Sequence, residues 1–154
     1  MTHAIAPSVE TRRQPFGGQR WVRRLLIACV ASVAIVGPVA AKPALRDVPA
    51  IDDGLFAVGL AHEIRKKCPQ IKARYFKALG FLSALRQEAL DLGYDADEIS
   101  RHMKSDAEKQ RLRDRAARYM QAQGFEQTTQ GYCALGKGEI GRETQTGALL
   151  RATD

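Results

Sequence analysis

Apolar residues in this chain form one unbroken run and then several periodic segments. The run, Leu25 to Ala41, reads LLIACVASVAIVGPVAA, carries no charge and follows directly on Arg23 and Arg24. A basic stretch, an apolar stretch and then small residues is the order of an export signal. Gly37 and Pro38 break helix there, and Val39 and Ala41 suit the pattern ahead of a cut. Residues 1–41 are therefore expected to be a signal peptide cleaved after Ala41. Three other readings stay open. The run could persist as an N-terminal membrane anchor, although it sits at the short limit for a span of roughly 17–25 residues. Leu26-Ile27-Ala28-Cys29 resembles a lipoprotein box, but with almost no apolar run before Cys29. Thr11-Arg12-Arg13 with Phe16 resembles a twin-arginine signal whose aromatic comes one place late. A translation start at Val22 would give a more compact leader.

Beyond the run, the apolar period is that of helices. Residues 42–51 contain Pro43 and Pro49 and read as an extended lead-in, and 52–154 reads as a single helical domain. Asp52 or Asp53 is placed to cap a first helix ending near Lys67, with Phe56, Leu60 and Ile64 at four-residue steps and Pro69 as its stop. A second helix is expected from about Gln70 to Leu92. Its apolar positions Ile71, Tyr75, Ala78, Leu79, Leu82, Leu85, Ala89 and Leu92, widened by Phe76 and Phe81, predict a central helix touching others on several sides. Asp95 with Glu98, and Ser105 with Glu108, have the spacing of capping boxes. They open a short helix to about Lys104 and a longer one to about Gln123, ended by Gly124. The segment 131–151 holds Gly136, Gly138, Gly141 and Gly147, each costing a helix about 1 kcal/mol relative to Ala. It is either irregular or closely packed on a neighbour. No strand-like alternation and no internal repeat is visible. The fold expected is all-α, a small orthogonal or irregular bundle of four or five helices.

Charge changes the picture by its placement. The chain carries +7, of which +4 lies in the first 41 residues and +3 in the remainder. The basicity belongs largely to the leader, so it is not read as nucleic-acid binding. Cysteine usage adds a further point. Cys29 leaves with the leader, and Cys68 and Cys133 remain. An even count in an oxidising compartment suggests one structural disulfide. A redox pair or a metal site is the alternative, without a CxxC or a nearby His to support it.

Candidate chemistry is thin. Gly131 to Lys137, GYCALGK, has phosphate-loop spacing, but Gly138 stands where Ser or Thr must hold magnesium. His62-Glu63 begins like a zinc-protease helix, yet Lys66 occupies the second ligand position. His102 and Met103, with Met120, could supply soft metal ligands, although neighbours on a helix diverge. Asp97 and Glu98 are explained by capping. No catalytic, cofactor-binding or metal residue is assigned, and no cofactor is expected. Arg111, Arg115 and Arg118 fall on one side of a helix and form a possible basic interaction ridge for an acidic partner or anionic surface. Glu108 and Asp114 lie at helical spacing to neutralise part of it.

Two stretches, LRDVPAIDDGLFAVGLAHEIRKKCP (Leu45 to Pro69) and YCALGKGEIGRETQTGALLR (Tyr132 to Arg151), resemble an uncharacterised alphaproteobacterial family of exported proteins, a domain of unknown function. The resemblance implies export and pairing of Cys68 with Cys133. It brings no activity, cofactor or catalytic residue. The chain is thus expected to be periplasmic, or membrane-anchored facing the periplasm. The expected role is a non-enzymatic interaction or structural protein of the cell envelope, meeting an envelope protein or an anionic surface. Membrane contact would come only through an uncut leader. The alternatives are a small-ligand or lipid binder, with a pocket between the second helix and the glycine-rich segment, and a small hydrolase.

Overall fold

Pro49 starts the first helix, three residues ahead of the expected Asp cap. Its fixed φ suits the first helical position, where a backbone N–H has no partner in any case. The computed structural model describes residues 41–153, so the expected leader lies outside the described residues except for Ala41. Helix α1 spans Pro49–Lys67, with Asp52 in its first turn and Arg65, Lys66 and Lys67 in its last, complementing the helix dipole. The extended lead-in is corrected accordingly. Leu45–Asp47 forms a 3-10 turn, and Leu45 and Ile51 are both buried. Asp52 and Asp53 cap nothing, because they lie inside the helix and face another one.

Cys68 ends α1 and Pro69 follows. The second helix begins later than expected. Ile71–Ala73 is a short strand, β1, antiparallel to Leu150–Ala152, β2, in the register Ile71↔Ala152, Lys72↔Arg151 and Ala73↔Leu150. Helix α2 is Tyr75–Asp91, and Gly93 follows at φ 85°. Helix α3, Ala96–Lys104, opens where expected. The Asp95 carboxylate accepts the Glu98 N–H at 2.7 Å, which holds that carboxyl below the usual range. Helix α4, Asp106–Ala122, is capped by Ser105, whose Oγ accepts the Glu108 N–H at 3.3 Å. The glycine-rich segment resolves into α5, Thr129–Gly141, and a single turn, α6, Gln145–Ala148. Thr128 and Thr144 cap them, each accepting a backbone N–H three residues on. The structure is therefore helical, as expected, with one small strand pair added.

The central helix is α1, not α2. It packs on α2, α4, α5, α6 and β1. One core gathers Leu60, Ile64, Ile71, Met120, Leu135 and Leu150, all nearly inaccessible, where each such side chain contributes roughly 1.5–3 kcal/mol. A second core joins Leu45, Ile51, Leu85, Ala89, Tyr94 and Ile99. Tyr94 donates to the Pro43 carbonyl at 2.6 Å, tying the start of the domain to the α2–α3 turn. In contrast, Tyr75, Phe76 and Leu79 of α2 face outward.

Gly136 explains how α5 lies so close to its neighbours. A Cβ there would stand 2.4 Å from Ile71 Cδ1 and 2.6 Å from Ile64 Cγ2. Close packing therefore accounts for this glycine. Cys68 and Cys133 are joined as a disulfide, with their Cα atoms 5.0 Å apart, fastening the end of α1 to α5.

Candidate functional site

Helices α1 and α4 lie side by side, yet they separate along part of their length. Between them is a cavity of about 430 Å³. On α1 the wall comes from Leu55, Val58, Gly59, His62, Glu63 and Lys66, which recur at helical steps along one face. On α4 it comes from Glu108, Lys109, Leu112, Arg113 and Ala116. Leu82 of α2 and His102 and Met103 of α3 close one side. The cavity is the size of small-molecule sites, and its floor is mainly aliphatic with a few polar groups at the edge. His102 lines the cleft, and its Nε2 is buried without a hydrogen-bond partner. Such an atom is a costly thing to leave unsatisfied. At Gly59 a Cβ would meet nothing within 4 Å, so this stretch of α1 borders open space.

The expected pocket between the second helix and the glycine-rich segment is not where the cleft lies. Helix α2 contributes only Leu82, and α5 contributes nothing to it. The glycine at 136 brings α5 into contact with Ile64 and Ile71, and a separate, more open hollow of about 520 Å³ lies beside Pro69, Gln70, Cys133 and Lys137.

A network of ion pairs between α1 and α4 reaches the cleft lining through Glu108. Arg111 donates to Asp52 and, at 2.8 Å, to Glu108. Arg115 reaches Asp52 at 2.8 Å and Asp53 at 2.5 Å, and stands 4.2 Å over the Phe56 ring. Arg46 pairs with Glu108 from the 3-10 turn. The Arg111 hydrogen bond holds the Glu108 carboxyl below its usual range against the opposing effect of burial, and Arg111 is held more firmly protonated by Asp52 first and Glu108 second. Glu108 is thus fixed as a carboxylate, the opposite of what a proton-donating acid requires.

The structure divides the expected basic ridge. Arg111 and Arg115 turn toward α1 and are spent on carboxylates, while Arg118 is exposed and makes no salt bridge among the described residues. The sequence placed all three on one side of a helix but could not show that Asp52 and Asp53 lie opposite. The phosphate-loop spacing at Gly131 to Lys137 lies within α5, whose backbone N–H groups serve the helix. Met120 is fully buried in the core, whereas Met103 is half exposed beside the cleft. His62 is exposed, and its Nδ1 lies 3.3 Å from Arg65. Cys68 and Cys133 are committed to each other.

A second polar centre went unnoticed in the sequence. Glu139, 2% exposed, accepts from Tyr119 at 2.8 Å and Arg142 at 2.7 Å, and also from Thr144. Burial first, and then the Glu139 hydrogen bond, push the Tyr119 hydroxyl up. All of these groups are mutually satisfied, so the centre joins α4, α5 and the α6 cap rather than facing a ligand.

No helix among the described residues is long and apolar enough to cross a membrane. No curated protein and no solved structure matches the chain. A family of unknown function, DUF5333, matches residues 43–151, the span that holds both cores, the disulfide and the cleft, and the chain belongs to that family.

Proposed function

We propose that the protein is exported and works in the cell envelope as a non-enzymatic binding protein, taking a small amphipathic ligand between α1 and α4. The observation that carries this reading is the cavity of about 430 Å³ with its mainly apolar lining. The ligand class follows from that lining. An apolar body would displace water from Leu55, Val58, Leu82 and Leu112. A hydrogen-bonding or anionic head would meet His102 and Lys66. The one carboxylate of the ion-pair network in the lining, Glu108, is held ionised by arginines and suits binding better than acid–base work.

Export is supported by the apolar run Leu25–Ala41, and the family match begins just beyond it. N-terminal sequencing of protein recovered from the envelope fraction is expected to begin at Lys42. A mature chain found in the cytoplasm with its first 41 residues intact would end that part of the proposal.

Gly59→Leu tests the cleft. The new side chain enters open space, and replacing a helical glycine by leucine stabilises a helix by up to about 1 kcal/mol. The full chain is expected to enhance the fluorescence of N-phenylnaphthylamine saturably, and the variant to lose that component while melting no lower. Equal saturable binding by both proteins, or none by the wild type, would refute the cleft as a ligand site.

A further inference from the structure

Helix α2 leaves its best apolar residues in solvent. Phe76 is 93% exposed, Leu79 63% and Tyr75 61%. They occupy the first two turns at positions i, i+1 and i+4, so they share one side of the helix. Exposure of this kind in a contiguous patch marks a surface that meets something.

The charges around the patch identify its chemistry. Between Ile64 and Gln87 the chain has seven cations, Arg65, Lys66, Lys67, Lys72, Arg74, Lys77 and Arg86, and no Asp or Glu. From Lys42 to Asp154 the net charge is only +3, so the remainder of that span carries −4. The structure shows where its acids go. Asp52, Asp53, Glu108 and Glu139 are bound to Arg46, Arg111, Arg115 and Arg142, and Glu88 and Asp91 lie in the last turn of α2, at the opposite end from the patch. Lys72, Arg74 and Lys77 are exposed and make no salt bridge among the described residues. Arg151 extends the basic border from β2, opposite Lys72. Arg65 stands 5.8 Å over the Tyr75 ring.

We infer that this face of α2 docks on an anionic lipid bilayer, with Phe76, Tyr75 and Leu79 entering the interfacial layer and Lys72, Arg74 and Lys77 meeting headgroups. Outward aromatic and leucine side chains flanked by lysine and arginine are what a helix lying in the interface presents. A protein partner would need a pocket shaped for a phenyl ring that stands almost wholly clear of its own molecule. A bilayer accommodates it without one. The surface is separate from the cleft, and this inference does not depend on the cleft being occupied.

The test is site-specific. In the full chain with Trp21→Phe, a Phe76→Trp substitution places the only tryptophan on the patch. Its emission is expected to move to shorter wavelength with phosphatidylglycerol-containing vesicles and to be quenched by brominated acyl chains. Each cation near an anionic surface contributes about fivefold to partitioning. Lys72→Gln with Lys77→Gln should therefore weaken vesicle partitioning about 25-fold. Leu79, 63% exposed, matters little for folding, so Leu79→Asp added to the Phe76→Trp chain should abolish the quenchable component at unchanged melting temperature. Emission unaltered by anionic vesicles would overturn the inference. So would a shift produced by an acidic polypeptide or RNA but not by vesicles, or one that grows with protein concentration alone and marks self-association.

Discussion

Opening the Cys68–Cys133 bridge should cost the domain a large part of its stability. The bridge spans 65 residues and closes α2, α3 and α4 into one loop between the end of α1 and the middle of α5. Constraining a loop of that length removes unfolded-state entropy worth about 4 kcal/mol at room temperature. A domain of 113 residues is stabilised by about 6–17 kcal/mol in total. The loss is therefore between a quarter and two thirds of the whole, and should lower the melting temperature by roughly 15–30 °C. The assay compares urea unfolding of the oxidised protein with that of Cys68→Ala/Cys133→Ala, both carrying Cys29→Ser so that no third thiol interferes. The oxidised protein with added reductant is a third arm and should coincide with the double variant. The denaturant slope should also rise, because the open chain exposes more surface when it unfolds. Coincident midpoints for all three samples would refute the entropic argument. Free thiols in freshly isolated protein would remove the bridge itself.

Two further predictions concern packing and protonation. Gly136→Ala gains about 1 kcal/mol of helix propensity but drives a methyl group into Ile64 and Ile71, and overpacking costs about 1–3 kcal/mol; net destabilisation is expected in thermal melts, and a clear gain would show that α5 is not held as closely as described. The lowered Glu108 carboxyl contributes stability that is fully present above its ordinary value of 4.5 and is lost as pH falls through its lower folded value, so wild type should weaken below about pH 5 more steeply than Glu108→Gln. Tyr119 and Tyr132 are both raised, chiefly by burial, so their contribution is present below the ordinary value of 10.0 and lost as pH climbs beyond it. Parallel acid profiles for wild type and Glu108→Gln would contradict the role given to the Arg111 contact.

Local chemistry was the legible part of this fold. Asp95 and Ser105 announced their helices because a cap depends on residues three apart, and Pro69, Gly93 and Gly124 ended theirs for equally local reasons. Asp52 and Asp53 misled because an acid pair ahead of an apolar stripe looks the same whether it caps the helix or salts it to another. The strand pair was hidden because each strand has three residues and its partner lies far along the chain, while Ile71 also continued the apolar stripe of α2. The rank order of the helices was inverted for a related reason. Periodicity shows that a face is apolar, but not whether anything covers it, and Phe76 and Leu79 went uncovered. The cleft draws on four helices, so no single segment could have revealed it. His102 was noticed only as a metal ligand, and its actual distinction, a buried nitrogen without a partner, exists only in the packed molecule.

The β1–β2 pairing also bears on the order in which this molecule can be made. Leu149 and Leu150 belong to the first core, Leu150 pairs with Ala73, and the Thr153 N–H reaches back to the Gln70 carbonyl at 2.8 Å. A nascent chain grows from its N-terminal side. Helix α1 and β1 therefore wait with Ile64 and Ile71 open on one side until residue 150 has been synthesised and released. Closure is a late event, because contacts between distant residues need the whole intervening chain to be available. A truncation that removes only the final five residues should leave the six α-helices encoded and yet deny the central one its last wall.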